Sequence, residues 1–166
     1  ADKVQSEAES IPGVTKTDVW IQLPTRLVRR DESESGMIYM FAPTVHPDSL
    51  IVSPSLAEGR WLAPGDENAV VVPSALLIDE PELELGGDIV LKIDGDEHVF
   101  KIVGTFKGMA FLPIVYVNYD YITKITNRTG EADAVMIAIQ QHDSVYVDAV
   151  TRTLEERFNL VGIEIG

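Results

Sequence analysis

The feature that most constrains this 166-residue chain is a repeated switch between two hydrophobic periods. In segments such as 14–23 and 88–93, apolar residues fall on alternate positions, which predicts strands with one buried face. In segments such as 2–11 and 143–160, apolar residues recur every three or four positions, which predicts helices. A chain that uses both periods throughout its length is expected to form a mixed fold of strands and helices.

Two hairpins are predicted from the alternating segments. The polar turn 31–36 separates the strand 14–23 from a second strand, 37–44, which is apolar on both faces and is therefore expected inside a sheet. The dipeptide Asp94-Gly95 is the strongest turn signal, because a type I′ turn requires positive φ at both central positions. It is expected to join strands around 88–93 and 96–102.

The two ends of the chain combine helices with strands. Residues 2–11 predict a short helix that Pro12-Gly13 ends. Near the other end, a strand at Ala134–Gln140 precedes a helix capped by Asp143 or Ser144, and a closing strand follows with Val161, Ile163 and Ile165 on one face. A strand, a helix and a strand in this order form a βαβ unit.

These elements predict an α+β fold with two subdomains. Residues 1–75 and 133–166 form an α/β layer built from both chain ends, with βαβ units, and residues 76–132 form an inserted β-rich lobe. This arrangement places both chain ends on one body. The segment 46–57 is expected to hold a loop and a short helix through Leu56 and Ala57 that ends at Gly59.

Composition excludes several classes of function. The net charge of −14 argues against a nucleic-acid partner, since nucleic-acid binders need Lys and Arg to replace phosphate counterions. The chain has no cysteine, which excludes disulfides, thiolate catalysis and cysteine-ligated metals. No apolar run approaches the ~18 residues of a membrane span.

No motif indicates a catalytic, cofactor-binding or metal site. His46, His98 and His142 are scattered, without the spacing of a metal site. The acidic stretch 94–98 is better explained as a turn than as a cation loop. A pair of carboxylates for hydrolysis stays open as an alternative. Asn127-Arg128-Thr129 fits a glycosylation sequon, but so short a match is common and is interpreted as a loop.

An apolar stretch, Met109–Pro113, interrupts the predicted lobe after the turn at Lys107-Gly108. At a loop tip, Met109, Phe111 and Leu112 would form a contact for a partner or for cargo. The alternative is that they fold back into the core of the lobe, as apolar residues most often do.

The order of short motifs resembles the MacB-like periplasmic core domain of FtsX-type ABC transporter permeases. The likeness covers nearly the whole chain and rests on an early step at 11–14 and on Glu58, Gly59, Arg60, Trp61, Pro64, Asp66, Val70–Val72, Leu85, Gly87, Asp88, Ile89, Val103 and Gly104. One departure is the acidic, proline-containing stretch Ile78–Leu83, where the family has an alanine-rich helical turn.

The resemblance implies the family's Porter subdomain for the α/β layer and its Sabre subdomain for the inserted lobe. It implies that Gly59, Arg60 and Trp61 form a structural corner, with Arg60 bonded to nearby carboxylates or carbonyls. It also implies a non-catalytic domain without a cofactor, on the extracytoplasmic side of a cell-membrane protein.

The resemblance further implies a role in transmitting ATP-driven motion to the export of peptides, including antimicrobial peptides, lipids or lipoproteins. The expected partners are the membrane spans of the same permease, a cytoplasmic ABC ATPase, a second permease protomer, and an adaptor or the exported cargo. The alternatives are a free-standing binding module of the cell envelope and a hydrolase with an unrecognised carboxylate pair.

Overall fold

The computed structural model describes residues 2–47, 49, 54–108, 113–141 and 143–162. Eight strands and four helices lie within these ranges. The strands are β1 (Val14–Val28), β2 (Ile38–Pro43), β3 (Leu56–Gly59), β4 (Ala69–Pro73), β5 (Asp88–Ile93), β6 (Asp96–Phe106), β7 (Ile114–Val117) and β8 (Ala134–Ile139). The helices are α1 (Asp2–Glu9), α2 (Ser74–Asp79), α3 (Tyr119–Ile125) and α4 (Ser144–Leu160).

Six of the strands form a closed ring of hydrogen-bonded pairs. The sheet runs in the order β2-β7-β4-β6-β5-β1-β8. An additional pairing of β1 with β2 closes the ring of β1, β2, β4, β5, β6 and β7. The length of β1 makes this possible, because 20–25 pair with β2 and 26–28 pair with β5. The earlier part of β1 pairs with β8, and β3 pairs with β6 outside the ring.

The main core lies inside this ring. One apolar cluster draws buried side chains from all six ring strands, together with Tyr119 and Ile122 of α3. The alternation of apolar residues in the sequence explains why these side chains share the inner face of the ring. Ile21 and Leu23 of β1 and Leu91 of β5, for example, are each 1% exposed or less. Burial of such side chains is the main stabilising contribution to the fold.

A second layer consists of α1 and α4 packed on β8 and the start of β1. Its buried residues come from both ends of the chain: Ala8, Ile11, Val150, Leu154 and Phe158. The N-terminus of α4 is capped by Asp143, whose carboxylate accepts a hydrogen bond of 3.0 Å from the backbone N–H of Tyr146. Of the two predicted capping residues, Asp143 is the cap, and the buried residues of α4 recur at the helical spacing predicted for this segment.

The α+β class and both hairpins are confirmed. The β1–β2 pair is antiparallel, and the β5–β6 hairpin turns at Asp94 (φ 51°) and Gly95 (φ 95°), as a type I′ turn requires. The predicted helix through Leu56 and Ala57 is wrong, because these residues form β3, whose backbone pairs with β6. The predicted closing strand does not begin at Val161, because this residue is the C-terminal cap of α4, whose hydrogen bonds extend to it, while Ile163 and Ile165 lie outside the described residues. The division at 75 and 133 stays a prediction.

Candidate functional site

The feature that bears most directly on function is the helix pair formed by α1 and α4. The Nζ of Lys3 donates a 2.5 Å hydrogen bond to the carbonyl of Val161, and the Nε of Arg157 donates a 2.7 Å hydrogen bond to Glu7. Contacts between 3 and 161 and between 7 and 157 require the two helices to run in opposite directions. The first and last turns of the described chain are therefore neighbours in space.

The helix pair is fixed to the sheet by a close approach as well as by apolar packing. Gly13, in the turn after α1, has φ +95°, and a Cβ built on it would lie 2.0 Å from the hydroxyl oxygen of Tyr146 in α4. Glycine adopts that backbone conformation more readily than residues with a side chain, whereas the contact itself involves only the end of the flexible tyrosine side chain. The hydroxyl of Thr17 also donates a 2.8 Å hydrogen bond to Glu9.

The segment Gly59–Trp61, predicted as a structural corner, includes the last residue of β3 and lies against β6, where the backbone N–H of Arg60 donates a 2.9 Å hydrogen bond to the carbonyl of Val103. Gly59 has φ +73°, and a Cβ there would lie 2.4 Å from the carbonyl oxygen of Val103. A Cβ on Gly104 would lie 2.1 Å from the carbonyl oxygen of Arg60. Both positions therefore need glycine, and both belong to the motifs that carry the sequence resemblance.

The side chain of Arg60 bridges the loop that leads from this segment to Asp66. Its guanidinium donates two hydrogen bonds, of 2.7 and 3.0 Å, to the carboxylate of Asp66, and a third of 2.9 Å to the carbonyl of Trp61. Asp66 also accepts a 2.7 Å hydrogen bond from the backbone N–H of Ala63. The hydrogen bond from Arg60 lowers the pKa of Asp66 below its ordinary value. These hydrogen bonds join the segment Gly59–Trp61 to Asp66, and its role as a structural corner stays a prediction.

A row of aromatic rings lies on the outer face of the ring of strands, beside this corner. The ring centroids of Trp20 and Phe41 are 5.5 Å apart, those of Phe41 and Tyr116 are 5.7 Å apart, and those of Tyr116 and Trp61 are 5.2 Å apart. Phe106 also contacts Tyr116, at 5.3 Å. Contacts at these separations are favourable beyond the area that they bury.

Sequence reasoning missed the environment of Asp18. The alternation placed this residue on the polar face of β1, but its side chain is fully buried. The Nε2 of His46 lies 2.5 Å from Oδ1 of Asp18, and the hydroxyl of Ser49 donates a 2.8 Å hydrogen bond to Oδ2. His46 and Ser49, which follow β2 in the chain, are thus both bonded to a buried carboxylate of β1. No local sequence pattern indicates these contacts, because His46 and Ser49 follow Asp18 by 28 and 31 residues.

The predicted contact residues Met109, Phe111 and Leu112 lie outside the described residues. The residues on either side of them are described. Lys107 follows β6, and its backbone N–H donates a 3.1 Å hydrogen bond to the carbonyl of Ser55; Pro113 precedes β7. The proposed contact therefore stays a prediction from the sequence.

A cleft of about 720 Å³ bears on the hydrolase alternative. Its charged lining consists of Arg29, Arg30, Glu32, Glu34, Glu82, Glu84, Asp88, Lys92 and Glu97. Lys92 lies 2.6 Å from Glu34 and lowers its pKa, and the guanidinium of Arg29 likewise lowers the pKa of Glu80 beside the cleft. A general acid needs a raised pKa, so these two ion pairs do not favour acid catalysis.

Within the described ranges, no group of three histidine or acidic side chains is placed to hold a metal ion. Over the same ranges, no helix is both long and apolar enough to cross a membrane.

Comparison with known proteins relates the structure to transporter domains. No protein-family model matches the sequence, and no curated protein matches it. The fold is similar to the extracellular domain of the noncanonic ABC-type transporter YknZ from Gram-positive bacteria, with a TM-score of 0.70 and 14% identity, covering 95% of this chain and 83% of that one.

Two further structures show the same likeness. The periplasmic region of MacB from Actinobacillus actinomycetemcomitans matches with a TM-score of 0.64 and 13% identity, covering 93% of this chain and 72% of that one. A domain of a Porphyromonas gingivalis protein described as a permease matches with a TM-score of 0.51 and 12% identity, covering 90% of this chain and 66% of that one. The chain therefore has the fold of MacB-like periplasmic domains, and the resemblance drawn from its motifs is confirmed at the level of the fold.

Proposed function

We propose that this chain is the extracytoplasmic domain of an ABC transporter permease and that it carries no catalytic residue of its own. In this proposal it lies between two membrane spans and works with a cytoplasmic ABC ATPase and a second protomer. It transmits ATP-driven motion to the export of peptides, lipids or lipoproteins. The likeness of its fold to transporter domains supports the proposal.

The observation that carries the proposal is the position of the two chain ends. Lys3 and Val161 are in hydrogen-bond contact although 158 residues separate them. A domain inserted between two neighbouring spans must receive and return the chain at nearby points, and the antiparallel pair of α1 and α4 provides this geometry. Ends at opposite poles would not be compatible with such an insertion.

A rigid body is needed if motion at the ends is to become displacement elsewhere. The closed ring of strands supplies rigidity, because β1 hydrogen-bonds to three other strands along its length. The same strand begins beneath the helix pair and continues into the main core. In the proposal, β1 is the element that connects the moving ends to the rest of the domain.

The division into a Porter-like layer (1–75 and 133–166) and a Sabre-like lobe (76–132) is part of the same proposal. The cluster built from α1, α4 and β8 supports a layer made from both chain ends. Met109, Phe111 and Leu112 are proposed as the contact for an adaptor or for cargo, on the basis of their apolar sequence between the predicted turn at Lys107-Gly108 and Pro113.

The test is purification of the full-length gene product from membranes of its source organism in a mild detergent. The proposal predicts that the protein is extracted only with detergent and that an ABC ATPase co-purifies with it and hydrolyses ATP. A variant lacking residues 2–162 serves as the control and should retain the ATPase, because the contact with the ATPase is on the other side of the membrane.

Recovery of the full-length product in the soluble fraction, with no ATPase bound, would contradict the proposal. That outcome would favour the free-standing binding module of the cell envelope.

A further inference from the structure

The connector between α3 and β8 contains the sequence Asn127-Arg128-Thr129. An asparagine followed two residues later by serine or threonine is the acceptor pattern for N-linked glycans, which occur on surface loops of exported proteins. The chain has four asparagines, at 68, 118, 127 and 159, and only Asn127 fits this pattern. The pattern alone is weak, and the structure adds the geometry of the site.

Asn127 is exposed and its side chain is unengaged. No hydrogen bond joins its side-chain amide to any residue of the described part of the chain, and Thr129 is exposed beside it. By contrast, Asn118 is 1% exposed and its side chain caps α3 by accepting a hydrogen bond from the N–H of Asp120. Of these two asparagines, one is committed to the fold and the other is free to react.

The backbone presents Asn127 at the apex of a turn. Its φ of +57° lies in the left-handed region, which asparagine tolerates better than most residues. The turn is anchored by the N–H of Arg128, which donates a 2.7 Å hydrogen bond to the carbonyl of Thr123. Gly130 follows with φ +90°, and no heavy atom outside its chain neighbours lies within 4 Å of the position where a Cβ would stand. A bulky group on Asn127 would therefore extend into solvent and would not compete with the core.

We propose that Asn127 is the attachment site of an N-linked glycan. The donor is a lipid-linked oligosaccharide pyrophosphate, supplied by a membrane transferase. The amide nitrogen Nδ2 forms a bond to C1 of the first sugar, the bond from C1 to the pyrophosphate oxygen breaks, and the lipid pyrophosphate leaves. Nδ2 loses one proton to a base of the transferase. The inference rests on the proposed function, because the transfer takes place on the outer side of the membrane.

The test is mass spectrometry of the full-length protein purified from its source organism. Cleavage after Asp120 and Glu131 releases the peptide 121–131, which contains the acceptor site. We expect this peptide to carry a glycan on Asn127. Thr129→Ala and Asn127→Gln should abolish the added mass, whereas Thr129→Ser should retain it. An unmodified peptide in the wild-type protein overturns the inference.

A second measurement separates this inference from the proposed function. The chain has no cysteine, so Asn159→Cys places one thiol at an exposed position away from the sequon. Labelling of that thiol in intact cells by a membrane-impermeant maleimide, above the level of the unsubstituted protein, shows that the domain is outside. Labelling together with an unmodified peptide overturns the glycan alone. Labelling only after lysis overturns both the glycan and the proposed location.

Discussion

At the scale of single residues, the corner beside β3 depends on two glycines that face one another. A Cβ on Gly59 would clash with the carbonyl oxygen of Val103, and a Cβ on Gly104 would clash with the carbonyl oxygen of Arg60. A single added carbon atom at either position would therefore prevent the close approach of the two backbones. The tight approach of β3 to β6 therefore has a specific chemical requirement.

Replacement of Gly59 or Gly104 by alanine is predicted to lower the free energy of unfolding by about 1–3 kcal/mol, because a backbone carbonyl cannot move away without breaking strand pairing. Gly36→Ala is the matched control: nothing lies within 4 Å of its Cβ position, and it should change stability by less than about 0.5 kcal/mol. Urea unfolding of the isolated chain measures all three. Equal effects at Gly36 and Gly59 would contradict the steric account.

The Arg60–Asp66 pair predicts a pH dependence. Because the pKa of Asp66 is lowered in the folded state, its contribution is present above the unfolded value of about 3.9 and is lost as the pH falls through the folded value. Asp66→Asn should therefore cost about 1 kcal/mol at pH 7, and the difference from the wild type should shrink below about pH 4.

The exposed Asp96→Asn variant is the control for this measurement, since Asp96 lies at the β5–β6 turn and forms no ion pair within the described residues. Urea unfolding between pH 3 and pH 7 gives both curves. A loss at Asp66 that stays constant over this range would mean that Arg60 does not stabilise the carboxylate.

Residues also show where prediction from sequence stops. The corner glycines could be found because their motif order resembles a known family. Asp18 could not, since a carboxylate at an alternate position of a strand normally points to solvent. Its burial depends on His46 and Ser49, which reach it only after the chain has passed through β2.

At the scale of elements, the helix pair is held by few contacts, and α4 supplies most of the apolar surface. Val150, Leu154 and Phe158 form one buried face, and Val145 on the same helix is 77% exposed. This contrast within one helix makes a direct comparison possible.

Leu154→Ala is predicted to lower the free energy of unfolding by about 2–5 kcal/mol, through lost burial and the cavity left behind. Val145→Ala should change it by less than about 0.5 kcal/mol. Hydrogen exchange of the Leu154→Ala variant should show faster exchange in α4 and α1 than in β5 and β6. A uniform loss of protection across the chain would show that the helix pair is not a separate layer.

The strands that could be predicted are those whose signal is local. The β5–β6 hairpin has alternating side chains and a turn with two positive φ angles, so neighbouring residues specify it. The four residues of β3 are all exposed, and their strand conformation depends on pairing with β6 about 45 residues later. A local pattern that ended in glycine therefore predicted a helix there, and that prediction was wrong.

At the scale of the whole molecule, closure of the ring and contact of the two ends are consequences of long-range pairing. The sequence indicated a layer built from both ends and the pairing of β1 with β2, but no periodicity indicated that β1 would also pair with β5 and β8. Together these pairings close the ring of strands, and the contact of Lys3 with Val161 brings α1 beside the end of α4. That geometry is the physical basis of the proposed transmission of motion.

The central claim is that this body moves as a unit when ATP drives the complex, and a spin label at Asn159→Cys in the full-length protein tests it. In lipid nanodiscs with the ATPase, the distance between the labels of two protomers should change on addition of ATP. A second sample contains protomers labelled at both Asn159→Cys and Asp96→Cys, mixed with an excess of unlabelled protein. In that sample the distance between the two labels within one protomer should stay constant on addition of ATP. An inter-protomer distance that does not respond to ATP while hydrolysis continues would contradict the account.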